Sequence, residues 1–382
     1  YTLEIPAGKL DAPGEPKVEC AFRELEEETG YRVESPENLE YLMSLTTTVA
    51  FCDEAIDIFV AHNLIPSHQN LDEDEVINVV PCELAELEEK QKDLLLSLPN
   101  LPDEDVAAGG KEQNVPDHYF KEKPVFDFEA KNHVDLCESL GLIDYQRGAK
   151  IAGNGAWVYR GAGARLEWAL LNFFVSEHLA DGYELVLPPH MLNYECGYVA
   201  GQFPKFGDEV YKIANPTSSD MKFMLPMAET ALVNLHRDEI LTEEELPRKY
   251  IAYTPCYRRE AGSYRSEERG MIRGHQFNKV EMVQYTTPEQ SDAAFEELVG
   301  KAERLVQELG LHYRLSKLAA GDCSFSMART YDIEVWIPSM GIYKEVSSAS
   351  NARDYQARRG NVKYRGANWN SLAAILYPSR AY

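Results

Sequence analysis

At 382 residues the chain is long enough for two domains, since single cores stop growing at about 250–300 residues. Its 44% hydrophobic and 26% charged residues are ordinary for a globular protein, and the absence of any run of about 18 uncharged apolar residues excludes a membrane-spanning helix. The net charge of −25 is uneven: residues 1–100 carry 23 Asp and Glu against 6 Lys and Arg, a poor surface for a polyanion, which is held through Lys and Arg. The seven cysteines (Cys20, Cys52, Cys82, Cys137, Cys196, Cys256, Cys323) are scattered with no C-x-x-C, which predicts free thiols in a reducing cytoplasm. The chain opens YTLEIPAGK, without an initiator Met and inside what reads as a structural element, so a fragment or a processed chain is expected.

The first predicted element follows Pro16, which suits a first helical turn. Val18, Ala21, Phe22 and Leu25 recur at helical spacing and would face a core. Glu24, Glu27 and Glu28 fall at i, i+3 and i+4 on another face. Like charges so placed cost roughly 0.2–0.5 kcal/mol per pair without a cation, and clustered carboxylate oxygens suit Mg²⁺. The segment resembles the Nudix box: Glu15, Arg23, Glu24, Leu25, Glu27, Glu28, Gly30 and Tyr31 fit, with one extra residue between Gly8 and Glu15. LEIPAGKLD and LDEDEVINVV (71–80) are similar to the ADP-ribose pyrophosphatase branch. The resemblance implies a truncated Nudix α/β module over 1–83. Glu24, Glu27 and Glu28 would hold Mg²⁺ there for hydrolysis of a nucleoside diphosphate derivative such as ADP-ribose.

From residue 84 the pattern changes to CELAELEEKQKDLLLSLPN, a short helix, followed by an acidic loop over 102–117. An apolar helix is predicted over 164–180, then a strand in GYELVLPPHML (182–192). The richest stretch is YTPCYRREAGSYRSEERGMIRGHQFNKVE, 253–281. Arg258, Arg259 and Glu260 precede a loop; after it residues 273, 275, 277, 279 and 281 alternate as one face of a strand. That face would present a guanidinium, an imidazole, a phenyl ring, an ammonium and a carboxylate together. Arginine forks clamp phosphates, an aromatic face stacks on a base and a carboxylate receives an amine, so a nucleotide site is expected. Further on, Glu345 and Ser348 in KEVSSASN supply oxygen ligands for a hard cation.

These segments, in this order, resemble the class II aminoacyl-tRNA synthetases and the seryl-tRNA synthetases in particular: 161–174 the motif 1 helix, 253–281 motif 2, and 331–365 the segment before motif 3. The resemblance implies an α+β fold, an antiparallel sheet flanked by helices, with the smaller Nudix module at the N-terminus. Residues 84–117 would be a remnant of the tRNA-binding arm and a linker, and 118–382 the catalytic domain. The activity implied is ATP-dependent activation of serine and its transfer to tRNA(Ser) by a cytoplasmic homodimer with Mg²⁺ and no membrane partner. Arg258, Glu260 and Arg273 would be catalytic; Arg258, Arg259, Glu260, Gly274, Phe277, Glu345, Val346, Ser347 and Ser348 would bind ATP. Met227, Glu229, Glu281 and Asn351 would surround the serine, and Glu345 and Ser348 would hold Mg²⁺. The family has Thr where this chain has Met227, and GANWNSLAAILYPSRAY places either Asn370 or Arg380 at the motif 3 arginine. The alternatives are a Nudix pyrophosphohydrolase and a non-catalytic fusion or paralogue that binds ATP.

Overall fold

The structure is a computed structural model; it describes residues 6–10, 14–46, 55–71, 77–80, 90–91, 94–215, 220–260, 270–366, 371–372 and 374–380. The chain divides into two compact units, Tyr1–Gln91 and Lys92–Tyr382. Residues 84–89 and 92–93 of the expected arm remnant, the loop 261–269 and Asn370 lie outside the described residues.

In the first unit, helix α1 spans Lys17–Thr29, with Pro16 at its N-cap and Gly30 at φ +68° ending it in the left-handed conformation glycine favours. The strands are β1 (Tyr31–Arg32), β2 (Leu39–Thr46), β3 (Ala55–Ala61) and β4 (Ile65–Pro66), in antiparallel pairs β1–β4 and β2–β3. The face predicted to enter a core is only half-buried at Val18, Ala21, Phe22 and Leu25; the buried residue of α1 is Cys20.

The second unit is built on an eight-stranded sheet: β5 (Val115–Phe120), β6 (Glu184–Leu185), β7 (Arg248–Tyr257), β8 (Gln276–Thr286), β9 (Tyr313–Lys317), β10 (Arg329–Ile337), β11 (Ile342–Asn351) and β12 (Ala374–Arg380). Its order is β5-β9-β10-β11-β12-β8-β7-β6, antiparallel throughout except for the β7–β6 pair. The expected strand over 182–192 is therefore only two residues long in this sheet, and the expected loop over 102–117 ends where β5 begins. Where a helix would continue LAAIL, residues 374–380 form strand β12 instead, which places the backbone of Arg380 opposite Ser347.

Helices α2 (Ala162–Ala180) and α3 (Ser291–Glu308) cover one face of the sheet. Leu171 and Phe174 of α2 and Leu305 of α3 pack with Ile251, Val280 and Met282. Phe295, Leu298 and Val299 of α3 pack with Leu315, Ile333, Val335 and Ala349. Because successive side chains point to opposite faces, the residues between these, including Ala252, Lys279, Glu281 and Asp332, look the other way. Toward the β6 edge that opposite face is closed by Tyr250, Ala252, Val283 and Tyr285 packing with Val199, Leu232 and Val233.

Candidate active site

The open part of the helix-free face carries the polar residues. Direct cross-strand partners share a face, so the pairing can be followed across the sheet: Asp332 opposite Ser348, Ser348 opposite Ser379, and Ile375 opposite Tyr285. Stepping by two along β8 from Tyr285 gives Glu281, Lys279 and Phe277. These three therefore share a face with Asp332 and Ser348, although they come from hairpins far apart in sequence.

A backbone irregularity makes this possible. Glu345 and Ser348 are three apart, and in a regular strand they would face opposite sides. The β10–β11 register shifts between Ile333 and Glu334: Ser347 stands opposite Ile333, but Glu345 stands opposite Glu334, leaving Val346 as an extra residue. Such a bulge resets the alternation and returns Glu345 to the face of Ser348. The Ser348 hydroxyl lies 2.6 Å from Asp332 Oδ1 and 2.9 Å from Glu345 Oε1. Burial first, and then the charge of Glu345, push the Asp332 carboxyl well above the usual carboxylate range, while the Ser348 hydroxyl pulls it down.

Those oxygens fit a hard divalent cation. Mg²⁺ demands oxygen ligands at about 2.0–2.1 Å in octahedral geometry, so two adjacent ligands stand about 2.9 Å apart. That is the separation of Ser348 Oγ and Glu345 Oε1, 2.9 Å. Among the described residues there is no group of three or more His, Cys, Asp or Glu that could hold a metal on its own, so the remaining positions would fall to water and a phosphate ligand.

At the other side of the site, β7 runs into Arg258 and β8 begins at Gln276. Arg273 and His275 precede the assigned start of the strand at Gln276 and follow a short 3-10 turn over Gly270–Ile272, but the hairpin pairing reaches His275, whose carbonyl accepts the Arg258 N–H at 3.0 Å. Arg258 places its guanidinium 5.1 Å from the centre of the Phe277 ring and donates from Nε to the Pro226 carbonyl at 3.3 Å. Arg273 Nε lies 3.5 Å from Glu260 Oε2. Arg259 is exposed and donates to the Asp208 carbonyl at 2.7 Å, away from Phe277. Gly274 is buried against Trp157: a Cβ there would lie 2.2 Å from the indole ring. Gly274→Ala is expected to push Arg273 and His275 out of place. Nucleotide affinity then falls at least ~10-fold, as for loss of one charge-assisted hydrogen bond, and the unit loses ~1–3 kcal/mol of stability to overpacking; calorimetric titration and thermal melts check both.

Glu281 lies at the bottom of the site, fully buried, with Lys279 Nζ 3.0 Å from its Oε1. Its Oε2 accepts the backbone N–H of Glu229 at 2.9 Å. Glu229 is buried as well, and its Oε1 accepts from Gln356, which also donates to the Ala200 carbonyl. Met227 is half-buried and packs against a cluster containing Leu192, Phe203, Phe223 and Cys256, and burial pushes the Cys256 thiol up to about 11.

Three expected site residues point elsewhere. Asn351 sits on the helix side: its amide donates to Ser291 Oγ at 2.8 Å and its oxygen accepts the Arg353 N–H. Val346, the bulged residue, packs against the α3 cluster. Ser347 is buried at a small cavity lined by Phe174, Val280 and Met282. Their side chains are thus turned from the polar face, leaving at most their backbone to a ligand there. Conversely, Asp332, Gln356 and Trp157 were missed. Asp332 and Glu334 did carry a signal, two acids alternating along an apolar strand in YDIEVW.

In the first unit Arg23 stands among the Nudix-box carboxylates, 2.8 Å from Glu24 and 3.0 Å from Glu27. Glu28 accepts the Ala7 N–H at 2.9 Å. Among the described residues these carboxylates form no group of three that could hold a metal ion by themselves.

Comparison with known proteins agrees with both units. The tRNA synthetase class II core domain family (G, H, P, S and T) matches residues 211–375, and the NUDIX domain family matches residues 1–100. A serine-tRNA ligase 2 of Clostridium acetobutylicum is 68% identical over 290 residues, 76% of this chain and 68% of the relative. A serine-tRNA ligase of Thermodesulfovibrio yellowstonii is 42% identical over 90% of this chain and 78% of the relative. Among solved structures, the seryl-tRNA synthetase from Pyrococcus horikoshii complexed with ATP superposes with a TM-score of 0.74 at 32% identity, covering 78% of this chain and 71% of that one. Among the described residues no helix is long and apolar enough to cross a membrane.

Proposed function

The chain belongs to the seryl-tRNA synthetase family of class II tRNA synthetases, and from that premise we propose that its larger unit activates serine with ATP and passes the product to tRNA(Ser). The observation that carries this is the gathering of Phe277, Lys279, Glu281, Glu345 and Ser348 on one helix-free face, with Arg258 beside Phe277. In the first step a serine carboxylate oxygen attacks the α-phosphorus of ATP, pyrophosphate leaves and seryl-adenylate forms. Two anions must meet, so the protein's contribution is charge neutralisation and alignment.

Phe277 offers a face to the adenine. Arg258, always charged and forked, takes the α-phosphate. Arg273, steered by Glu260, reaches the outer phosphates. Glu345 and Ser348 would hold Mg²⁺, which when bound neutralises phosphate charge. Glu281 and Glu229 receive the serine amine and hydroxyl, with Lys279 and Gln356 fixing the two carboxylates. Serine-dependent exchange of pyrophosphate into ATP, run against a panel of amino acids, is the test. Exchange with serine above the others supports the proposal. ATP binding without exchange for any amino acid would place the chain among non-catalytic nucleotide binders.

A homodimer belongs to this proposal. Leu166 and Trp168 on α2 are 55% and 56% exposed, and Leu187 and Met191 beyond β6 are 74% and 61% exposed, an apolar load that a second copy would cover. Light scattering at micromolar concentration is expected to return twice the 43.3 kDa chain mass; a strict monomer counts against it.

Transfer to tRNA is expected to lag far behind adenylate formation in this chain. Residues 1–100 carry 23 acidic against 6 basic side chains, a field that repels a polyanion. The repulsion reaches furthest at low salt, where the Debye length is ~30 Å at 0.01 M. Filter binding across salt concentrations beside an aminoacylation time course measures both effects; tight binding with efficient charging contradicts the expectation.

A further inference from the structure

The Ser348 hydroxyl has one proton and two carboxylate neighbours, Asp332 at 2.6 Å and Glu345 at 2.9 Å. It can serve only one of them as donor. The contact to Glu345 has the length of an octahedral edge, whereas the contact to Asp332 has the length of a strong hydrogen bond from hydroxyl to carboxylate, ~2.5–2.7 Å. The two neighbours also differ in setting: Asp332 is buried, while Glu345 is exposed, so a cation arriving from solvent meets Glu345 and Ser348 first.

We propose that Asp332 is a positioning residue for the cation site: it accepts the Ser348 proton and so turns an Oγ lone pair toward the metal. The proposal rests on Glu345 and Ser348 being cation ligands. The cross-strand pairing of Asp332 with Ser348 sets the distance, and the bulge at Val346 brings Glu345 alongside without placing Asp332 itself at the surface. A ligand hydroxyl left free to rotate would present its proton to the cation in part of its rotamers; one held by Asp332 presents oxygen only. Outer-shell partners of this kind are worth ~10–100-fold in metal affinity.

The test is Mn²⁺ affinity, read by electron paramagnetic resonance on the full chain saturated with a non-hydrolysable ATP analogue. Nucleotide affinity without metal and melting temperature are measured alongside. Asp332→Ala is expected to weaken Mn²⁺ at least ~10-fold, with metal-free nucleotide affinity unchanged. Asp332→Asn, whose amide oxygen still accepts from Ser348, is expected to recover most of the loss. In a Ser348→Ala background Asp332→Ala should add nothing, because the residue it acts through is gone. An equal loss in both backgrounds, or full affinity in Asp332→Ala, overturns the proposal. Unchanged Mn²⁺ affinity in Glu345→Gln and Ser348→Ala would instead remove the cation site on which it rests.

Discussion

Arg258→Ala lowers the rate of serine-dependent pyrophosphate exchange by ~10²–10³-fold, the cost of removing one preorganised donor to a developing charge. It also weakens ATP by ~10-fold or more, since a hydrogen bond from a charged donor contributes ~1.5–3 kcal/mol. The geometry makes the effect specific. The guanidinium is fixed from two sides, by the Pro226 carbonyl at 3.3 Å and by the Phe277 ring at 5.1 Å, so little ordering remains to be done when phosphate arrives. Arg258→Lys retains the charge but not the fork, and is expected to recover only part of the rate. Met227→Ala, which trims a thioether from a packed cluster, should change ATP affinity far less. Steady-state exchange kinetics and calorimetric titration of the three variants decide it. Equal ATP affinities in Arg258→Ala and Met227→Ala would mean that the phosphates lie elsewhere.

Lys279→Met destabilises the larger unit by ~3–5 kcal/mol, because it leaves a buried carboxylate without its counter-charge. Both members of the Lys279–Glu281 pair are almost wholly shielded from water, at 2% and 0% side-chain exposure, so solvent screening does not soften the loss. Replacing both, Lys279→Met with Glu281→Leu, is expected to restore stability or raise it above the parent, since apolar packing in place of a buried ion pair is often neutral or better. Serine activation should not return with it, because the carboxylate at the bottom of the amino-acid site has gone. Thermal melts with exchange assays on the single and double variants separate the two effects. If activity recovers along with stability, the pair is a structural device and the amine is bound elsewhere.

The chemistry of this site was legible in the sequence to the extent that it depends on local spacing. Phe277, Lys279 and Glu281 follow from strand alternation, Arg258 from its place before the loop, and the antiparallel sheet with covering helices from the resemblance of the motifs. What was not legible is set by backbone irregularity and by distant pairing. A bulge has no side-chain signature, so nothing in KEVSSASN says that Glu345 and Ser348 share a face while Ser347 and Asn351 do not. The assigned strand starts at Gln276 rather than at Arg273, behind a turn at Gly270–Ile272 that the residue pattern does not show. Asp332 could be assigned to the site only when its partner across β10 and β11 was known. In the first unit the spacing on α1 shows the acidic stripe, but not that Arg23 on the same helix pairs with two of its three carboxylates.

Strand β12 has a mechanical consequence. The hairpin β7–β8 carries Arg258, Phe277 and Glu281; the ladder β9–β10–β11 carries Asp332, Glu345 and Ser348; β12 is the spacer hydrogen-bonded to both. It works as a ruler between the nucleotide-stacking half and the cation half. Sliding it by one residue against β11 would turn one half to the opposite side of the sheet. Sliding it by two would keep both halves facing the same way but move them apart along the strands by ~7 Å, more than the length of a phosphate–phosphate link. The pairing of Ser348 with Ser379 and of Tyr285 with Ile375 is therefore a dimension of the site, and changes within Ala374–Arg380 that shift it would alter the span between Phe277 and Glu345 while every contacting residue keeps its identity.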